Sequence, residues 1–199
     1  MNICVYGASS NKIDKKYIEK IEELGEIIAS RGHGLVFGGG ASGAMGAVAR
    51  GAFRKGAKSI LGIAPSFFNV DGLLFENCTK FIYTDTMRER KKLLEDYADA
   101  FIITPGGIGT FDELFEILTL KQLGRHNKAI AFLDVDGYWD SFSAFMQNTA
   151  DGHFMTEATL DLYKTFTSPK EIIDYLENYK PVYNDILHFK SINTSFNKK

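Results

Sequence analysis

A glycine-rich loop between a short apolar run and a helical pattern is the feature that most restricts the fold of this chain. The run Ala100–Ile103 has the length and apolar character of a buried strand, and residues 111–118 have helical periodicity. The loop between them, residues 104–110, contains three glycines. Such a loop can bind an anion, because glycine lets a ligand approach the backbone and a helix start offers unpaired N–H groups. The same glycines could instead serve only the packing of a strand-to-helix turn.

The order of strand, small-residue loop and helix recurs along the whole chain. Hydrophobic patterns predict strands at 3–6, 34–37, 59–63, 80–83, 100–103 and 129–133. They predict helices at 15–31, 45–53, 87–97, 111–122, 138–151 and from 169 onward, with an irregular crossover at 67–77. This alternation predicts an α/β fold: a three-layer, Rossmann-like parallel sheet with helices on both faces and ligand loops at the carboxyl ends of its strands.

Length, charge and cysteine usage restrict the class of protein. The 199 residues suit one domain, and a net charge of −2 with no basic block beyond residues 88–92 argues against a nucleic-acid partner. The apolar run at the N-terminus is too short for a signal peptide or a membrane span. Cys4 and Cys78 form no C-x-x-C motif, and the four histidines lack zinc-ligand spacing. We therefore expect a cytoplasmic protein with a small-molecule partner, without a metal, a cofactor or a membrane partner.

A second glycine-rich loop follows the second predicted strand. Residues 38–43, GGGASG, match the G-x-G-x-x-G pattern of dinucleotide-binding proteins. That interpretation requires an acidic residue near the end of the next strand, where it would bind the ribose hydroxyls. The next predicted strand instead runs into Ala64, Pro65 and Ser66. An NAD-dependent oxidoreductase is therefore disfavoured.

Two further groups of residues allow both a structural and a functional interpretation. Residues 87–92 place four cations in the first turns of a helix, where the helix dipole disfavours them, so local carboxylates such as Glu89 and Glu95 or an anionic ligand must compensate. Thr110 and Glu113 have the spacing of a capping box, with Thr110 as the N-cap residue. A phosphate bound at the same helix start would compete with that capping. The sequence leaves both pairs of alternatives open.

Three motifs, in this order, resemble those of the Lonely Guy family. Residues 38–46 (GGGASGAMG), 87–91 (MRERK) and 105–113 (PGGIGTFDE) are similar to its patterns G-G-G-x-x-G-x-M-G, M-x-x-R-K and P-G-G-x-G-T-x-x-E. The resemblance covers about residues 1–180 and includes the segment Asp136, Gly137 and Tyr138. The family comprises cytokinin riboside 5′-monophosphate phosphoribohydrolases, formerly labelled lysine decarboxylases.

The resemblance implies hydrolysis of the N-glycosidic bond of an adenosine-type 5′-monophosphate to the free base and ribose 5-phosphate, without cofactor or metal. It implies that Arg90 and Glu113 are the catalytic pair. The substrate-binding residues that it implies are Gly39, Gly40, Ser42, Gly43, Met87, Lys91, Gly106, Gly107, Ile108, Gly109, Thr110 and Asp112. Arg88, Ile108 and Asp112 differ from the residues most common in the family, which leaves the preferred base open: prenylated adenine, adenine or another purine.

The resemblance also bears on domain organisation and assembly. It implies that residues 1–180 form a single Rossmann-like nucleotide-hydrolase domain, and the patternless residues 181–199 are expected to be a loose C-terminal tail. The apolar residues of the predicted helix 111–122 spread around more than one stripe, which predicts a homodimer with this helix and helix 87–97 near a two-fold interface.

A non-catalytic carrier is the alternative to an enzyme. Carriers of the molybdenum cofactor resemble this fold and its glycine loops, and such a protein would bind a nucleotide or that cofactor without reaction. A carrier has no use for the combination of Arg90, Lys91 and Glu113. These three residues therefore favour the enzyme.

Overall fold

The computed structural model describes residues 1–181. The rest of the chain, and with it all but the first residue of the predicted tail, lies outside the described residues. The strands are β1 Asn2–Tyr6, β2 Gly34–Phe37, β3 Ile60–Pro65, β4 Lys80–Thr84, β5 Ala100–Ile103, β6 Ala129–Leu133 and β7 Lys164–Phe166. The helices are α1 Lys15–Ser30, α2 Gly43–Arg54, α3 Met87–Tyr97, α4 Ile108–Gln122, α5 Asp140–Asp151 and α6 Pro169–Asn178. Among them, no helix combines the length and the hydropathy that a membrane crossing requires.

All seven strands run parallel in one sheet, in the order β4-β3-β2-β1-β5-β6-β7. Successive side chains of a strand point to opposite faces, so Ile3 and Val5 pack with α1, α2 and α6, whereas Cys4 and Tyr6 pack with α3 and α4. Each face of the sheet is thus covered by helices. The structure confirms the predicted three-layer α/β fold.

Side-chain caps explain where several helices begin. The Asp14 carboxylate accepts a hydrogen bond from the Lys16 amide at the start of α1, and the Ser168 hydroxyl caps α6, whose first residue is a proline. Thr86 and Glu89 form a capping box at the start of α3. Glu89 therefore caps a helix, which is a different role from the local ion pair considered from the sequence.

The structure differs from the sequence-based predictions in four respects. Helix α4 begins at Ile108, three residues earlier than predicted, and its N-cap residue is Gly107 without a side-chain cap. The capping box predicted for Thr110 and Glu113 is therefore wrong, because Thr110 lies inside the helix and Glu113 binds an arginine instead. Strand β7 and the 3-10 turns Ser66–Phe68 and Glu157–Leu162 were not predicted. Helix α5 starts two residues later than predicted, after a turn.

The strand order reverses beside β1. Strands β2, β3 and β4 follow on one side of β1, and the chain then returns to place β5, β6 and β7 on the other side. The segment after β1 leads to a helix on one face of the sheet, and the segment after β5 leads to a helix on the opposite face. The loops after β1 and β5 are in contact at this point, since the Ala8 amide donates a hydrogen bond to the Pro105 carbonyl at 3.2 Å. Ligand crevices in α/β proteins form at such a switch point.

Candidate active site

A cavity of about 600 Å³ opens at the carboxyl ends of β1, β2 and β5, at the switch point of the sheet. Nine of the residues that the sequence indicates for the site line this cavity: Gly40, Ser42, Met87, Arg90, Gly107, Ile108, Gly109, Thr110 and Glu113. The other five, Gly39, Gly43, Lys91, Gly106 and Asp112, are not part of its lining. The fold thus brings together residues from the loop before α2, from α3 and from the start of α4 that are separated by up to 73 positions in sequence.

Arg90 and Glu113 form a buried ion pair at the wall of the cavity. The Arg90 Nη1 atom donates to Glu113 Oε1 at 2.6 Å, and Arg90 Nε donates to the Ile63 carbonyl at 3.1 Å. Both residues are only 7% exposed. A charge this deeply buried needs an opposite charge and hydrogen bonds: each side chain supplies the opposite charge for the other, and the Ile63 carbonyl accepts a further hydrogen bond from Arg90.

Gly38 makes room for the arginine of this pair. A Cβ atom at position 38 would lie 2.0 Å from Arg90 Nη2 and 2.9 Å from the Met45 sulfur. A side chain at this position would therefore push the guanidinium away from Glu113. The first glycine of the second glycine-rich loop is thus required by the packing of the ion pair.

The carboxyl group of Glu113 combines a raised pKa with an available oxygen. Burial raises the pKa of Glu113, and the positive charge of Arg90 opposes that rise. Among the described residues, Oε1 accepts the hydrogen bond from Arg90, Oε2 has no hydrogen-bond partner, and Glu113 is part of the cavity lining. Glu113 can therefore present one oxygen to a ligand while Arg90 holds the other. In residues 1–181, no cluster of histidine, cysteine or carboxylate side chains has a metal-binding arrangement.

The first turn of α4 faces the same cavity with free amides. Among the described residues, the N–H groups of Gly107, Ile108, Gly109 and Thr110 have no hydrogen-bond acceptor, and the helix has no side-chain cap. The first backbone hydrogen bond of this turn runs from Phe111 N to Gly107 O at 3.0 Å. Unpaired N–H groups at the positive end of a helix dipole bind anions.

The loop before α2 differs from the loop before α4 because its backbone packs against β1. Gly43 has a φ of 58°, and a Cβ atom there would lie 2.6 Å from the Ala8 carbonyl oxygen. The Met45 amide donates to the same Ala8 oxygen at 3.3 Å. Gly39 packs against the ring of Phe81. These glycines serve close packing, and only Gly38, Gly40 and Ser42 from this loop line the cavity.

Protein carboxylates compensate most of the cations at the start of α3. Lys91 Nζ lies 3.1 Å from an Asp112 oxygen and 2.8 Å from a Glu116 oxygen, both on α4. Lys92 pairs with Asp96. Of the two alternatives from the sequence, compensation by carboxylates therefore holds for Arg90, Lys91 and Lys92, although the main partners are on another helix.

Several cavity residues were missed in the sequence-based set of site residues. Ser9, Ser10 and Asn11 follow β1 and reach the cavity, as the small polar character of this loop indicated in general terms. An apolar part of the lining comes from Met45, Phe68, Leu73 and Leu74. The crossover that carries the last three is held against the glycine loop by Ala41 N to Leu73 O at 2.9 Å and Phe75 N to Gly39 O at 2.8 Å. These are tertiary contacts, and no local sequence pattern predicts that the crossover lies against the glycine loop.

Comparisons with known proteins agree with the motifs and the site. A family model described as "Possible lysine decarboxylase" matches residues 45–176. The cytokinin riboside 5′-monophosphate phosphoribohydrolase LOG2 of Arabidopsis thaliana is 34% identical over 185 residues, which cover 93% of this chain and 86% of that protein. This chain belongs to the LOG family. The LOG protein of Oryza sativa subsp. japonica is 35% identical over 181 residues, with 91% and 74% of the two chains covered.

Solved structures show that the LOG-family fold is shared more widely. The molybdenum cofactor carrier protein from Chlamydomonas reinhardtii matches with a TM-score of 0.67 at 20% identity, over 88% of this chain and 95% of that one. A structural genomics target, TM1055, matches with a TM-score of 0.69 at 22% identity, over 89% and 99% of the two chains. At these identities the likeness concerns the fold alone.

Proposed function

We propose that this LOG-family enzyme hydrolyses the N-glycosidic bond of an adenosine 5′-monophosphate, N6-modified or plain, to the free base and ribose 5-phosphate. One observation carries the proposal: the buried pair of Arg90 and Glu113 and the free amides of residues 107–110 face one cavity of about 600 Å³. The relatives whose names state this type of reaction cover nearly the whole chain.

The 5′-phosphate would bind at the start of α4. Four amides that have no acceptor within residues 1–181 and the positive end of the helix dipole favour an anion there. Gly107 and Gly109 lack a side chain, and an added Cβ would meet no atom within 4 Å at either position, so the space above the backbone is open. A phosphate in this space would place the attached ribose towards Glu113 and Arg90, because all of these groups line the same cavity.

Glu113 would act on the ribose. Cleavage of a ribosyl bond gives the sugar oxocarbenium character, and a carboxylate held beside the ring stabilises that positive charge and orients a hydroxyl or a water molecule. Arg90 holds Oε1 at 2.6 Å and leaves Oε2 available, which fixes the direction in which Glu113 presents its charge. The apolar lining from Met45, Phe68, Leu73 and Leu74 offers a surface for the base.

A direct assay tests the proposed reaction. The protein is incubated with AMP and with isopentenyladenosine 5′-monophosphate in the presence of EDTA, and the free base and ribose 5-phosphate are measured by chromatography. We expect base release from a nucleotide, and much slower release from the matching nucleoside, since the phosphate site contributes binding energy. Equal turnover of adenosine and AMP, or loss of activity with the chelator, would contradict the proposal. Nucleotide binding without any base release would indicate a carrier.

The Glu113→Gln variant tests the role of the carboxylate. Glutamine can still accept the hydrogen bond from Arg90 but has no negative charge, so we expect turnover to fall by about 10²-fold or more. Glu116→Gln is the matched control, because it makes the same chemical change one turn later, on a carboxylate that pairs with Lys91 outside the cavity lining. Preserved specific activity in Glu113→Gln, measured well below its melting temperature, would exclude the catalytic role.

A second copy of the chain would cover exposed aromatic side chains on α4, on α5 and directly after α5. Phe115 on α4 is 42% exposed, although Leu114, Ile117 and Leu118 of the same helix are buried. Phe145 on α5 is 58% exposed and the nearby Phe154 is 87% exposed. We therefore propose a homodimer with α4 near the interface. Light scattering over a micromolar dilution series is the test, and a fully active species near 22.2 kDa would contradict it.

The proposed location is the cytoplasm. Cys4 and Cys78 are both free thiols, and burial raises the pKa of Cys78 to about 11, so it stays protonated and unreactive at neutral pH. Such thiols suit a reducing compartment. Fractionation of the source cells, with the protein followed by antibody, tests this location.

A further inference from the structure

Tyr138 lies outside the cavity lining, but its hydroxyl contacts the glycine-rich loop before α4. Tyr138 Oη donates a hydrogen bond to the Gly106 carbonyl oxygen at 2.6 Å. Gly106 directly precedes Gly107, the N-cap residue of α4 and a residue of the cavity lining.

The hydrogen bond from Tyr138 sets the direction of one peptide group. In a planar trans peptide, the carbonyl of Gly106 and the N–H of Gly107 point in opposite directions. Because the carbonyl points at Tyr138, the Gly107 N–H points away from Tyr138. If α4 began one residue earlier, the Thr110 amide would donate its helical hydrogen bond to the Gly106 oxygen, which lies four residues before it. That oxygen accepts a hydrogen bond from Tyr138 and none from the Thr110 amide, which has no acceptor among the described residues.

The loop itself has little means of holding this orientation. The peptide group joins two glycines, which have the widest range of backbone conformations and therefore the lowest cost of rotation. A side chain cannot stiffen position 106, since a Cβ atom there would lie 2.1 Å from Thr110 Oγ1 and 3.0 Å from the Ala8 amide. The orientation must therefore be selected by a contact from outside the loop, and Tyr138 makes that contact.

A rigid turn between β6 and α5 holds Tyr138 in place. The Asp134 carboxylate accepts hydrogen bonds from the amides of Gly137 at 3.0 Å and Trp139 at 2.9 Å. The Tyr138 ring packs edge-on against Trp139 and Tyr17, with centroid distances of 5.0 and 6.0 Å. The hydroxyl is thus carried by a turn and an aromatic cluster that do not belong to the cavity.

We propose that Tyr138 is a positioning residue for phosphate recognition: its hydroxyl holds the peptide group between Gly106 and Gly107 in the orientation that leaves the α4 amides open to the 5′-phosphate. This role rests on the proposed function, because it assigns the phosphate to these amides. A phosphate bound equally in the ground state and the transition state contributes to KM and little to kcat. The role therefore predicts a specific kinetic pattern.

The test compares Tyr138→Phe with the wild type in two measurements. Binding of ribose 5-phosphate, followed by calorimetry, is expected to weaken about tenfold, which corresponds to about 1.4 kcal/mol. The KM for AMP, or for whichever nucleotide the wild type cleaves, should rise by about the same factor, while kcat stays within about twofold. The melting temperature should fall by only about 2–4 °C, as for the loss of one hydrogen bond.

Tyr17→Phe is the matched control. It removes a hydroxyl from the same aromatic cluster, and in the described part of the chain that hydroxyl makes no hydrogen bond. Its affinity for ribose 5-phosphate should equal that of the wild type. An unchanged affinity in Tyr138→Phe, or an equal loss in Tyr17→Phe, would overturn the inference, as would a lower kcat at constant KM.

The binding measurement also separates this inference from the proposed reaction. If the wild type binds ribose 5-phosphate but releases no base from any nucleotide, the proposed reaction fails while the comparison of affinities still decides the role of Tyr138. If the wild type releases base and Tyr138→Phe behaves as the wild type does, only the inference about Tyr138 fails. A wild type that binds no ribose 5-phosphate and releases no base from any nucleotide would overturn both.

Discussion

The substitution Gly38→Ala would perturb the ion pair of Arg90 and Glu113 although neither of these two residues is replaced. The new Cβ atom would lie 2.0 Å from Arg90 Nη2. An ordinary contact needs about 3.5 Å, so the guanidinium must move by about 1.5 Å. Hydrogen bonds from its Nη1 to Glu113 and from its Nε to Ile63 hold it in place. A movement of that size exceeds the distance range of a hydrogen bond, and at least one of the two must break.

The size of the effect follows from these contacts. Overpacking of a buried site costs about 1–3 kcal/mol, and loss of one partner from a buried ion pair costs about 3–5 kcal/mol, which sets the upper limit. For a chain of this length, 1–3 kcal/mol lowers the melting temperature by about 2–12 °C. A misplacement of about 1 Å at a catalytic group can reduce the rate by about 10²-fold, so kcat/KM for nucleotide hydrolysis should fall by that order.

Thermal unfolding and nucleotide hydrolysis are the two assays, and a double-mutant cycle isolates the cause. Lysine has no Nη2 atom, so Gly38→Ala should cost less stability in an Arg90→Lys background than in the wild type, with a coupling energy of about 0.5–3 kcal/mol. Gly107→Ala is the stability control, since its Cβ atom would meet no atom within 4 Å. If Gly38→Ala keeps wild-type stability and kcat/KM, or if the cycle is additive, Gly38 does not act through Arg90.

Two further predictions concern Gly109 in the first turn of α4 and His126, which contacts the same helix from the segment that follows it. Gly109→Ala should raise the melting temperature by about 1–4 °C, because alanine is favoured over glycine in a helix and its Cβ atom has open space. The same variant should bind AMP more weakly, because the new methyl group lies beside the proposed phosphate. An unchanged KM for AMP would contradict the proposed phosphate site. Burial lowers the pKa of His126 to about 4, and the neutral ring bridges the Ile117 carbonyl and the Lys128 amide. Because the native pKa is depressed, the stabilisation from His126 is complete above its unfolded pKa of about 6.5 and is lost as the pH falls towards 4. Between pH 6.5 and 4 the melting temperature of the wild type should therefore fall more steeply than that of His126→Gln. Parallel pH profiles for the two proteins would refute this role.

Local sequence patterns were sufficient for most of the elements. The predicted bounds of β2, α3, β5 and β6 agree with the structure, since each combines a clear hydrophobic period with glycine, aspartate or threonine at its ends. Strand β7 was missed because Lys164–Phe166 has only three residues and no buried side chain, so its pattern is too short to detect. The motifs indicated the family, and the comparisons confirmed it.

The same local motif has two different outcomes in this chain, and only the tertiary structure decided between them. Thr86 with Glu89 and Thr110 with Glu113 have identical capping-box spacing. Glu89 is exposed and free to fold back on its own helix start, where it forms the box. Glu113 lies beside Arg90, which is 23 residues away in sequence, and a charged hydrogen bond in a buried site is stronger than a cap in water. The sequence alone determined that both helices begin near these residues, but the choice between cap and ion pair depends on a partner that only the folded sheet brings within 2.6 Å.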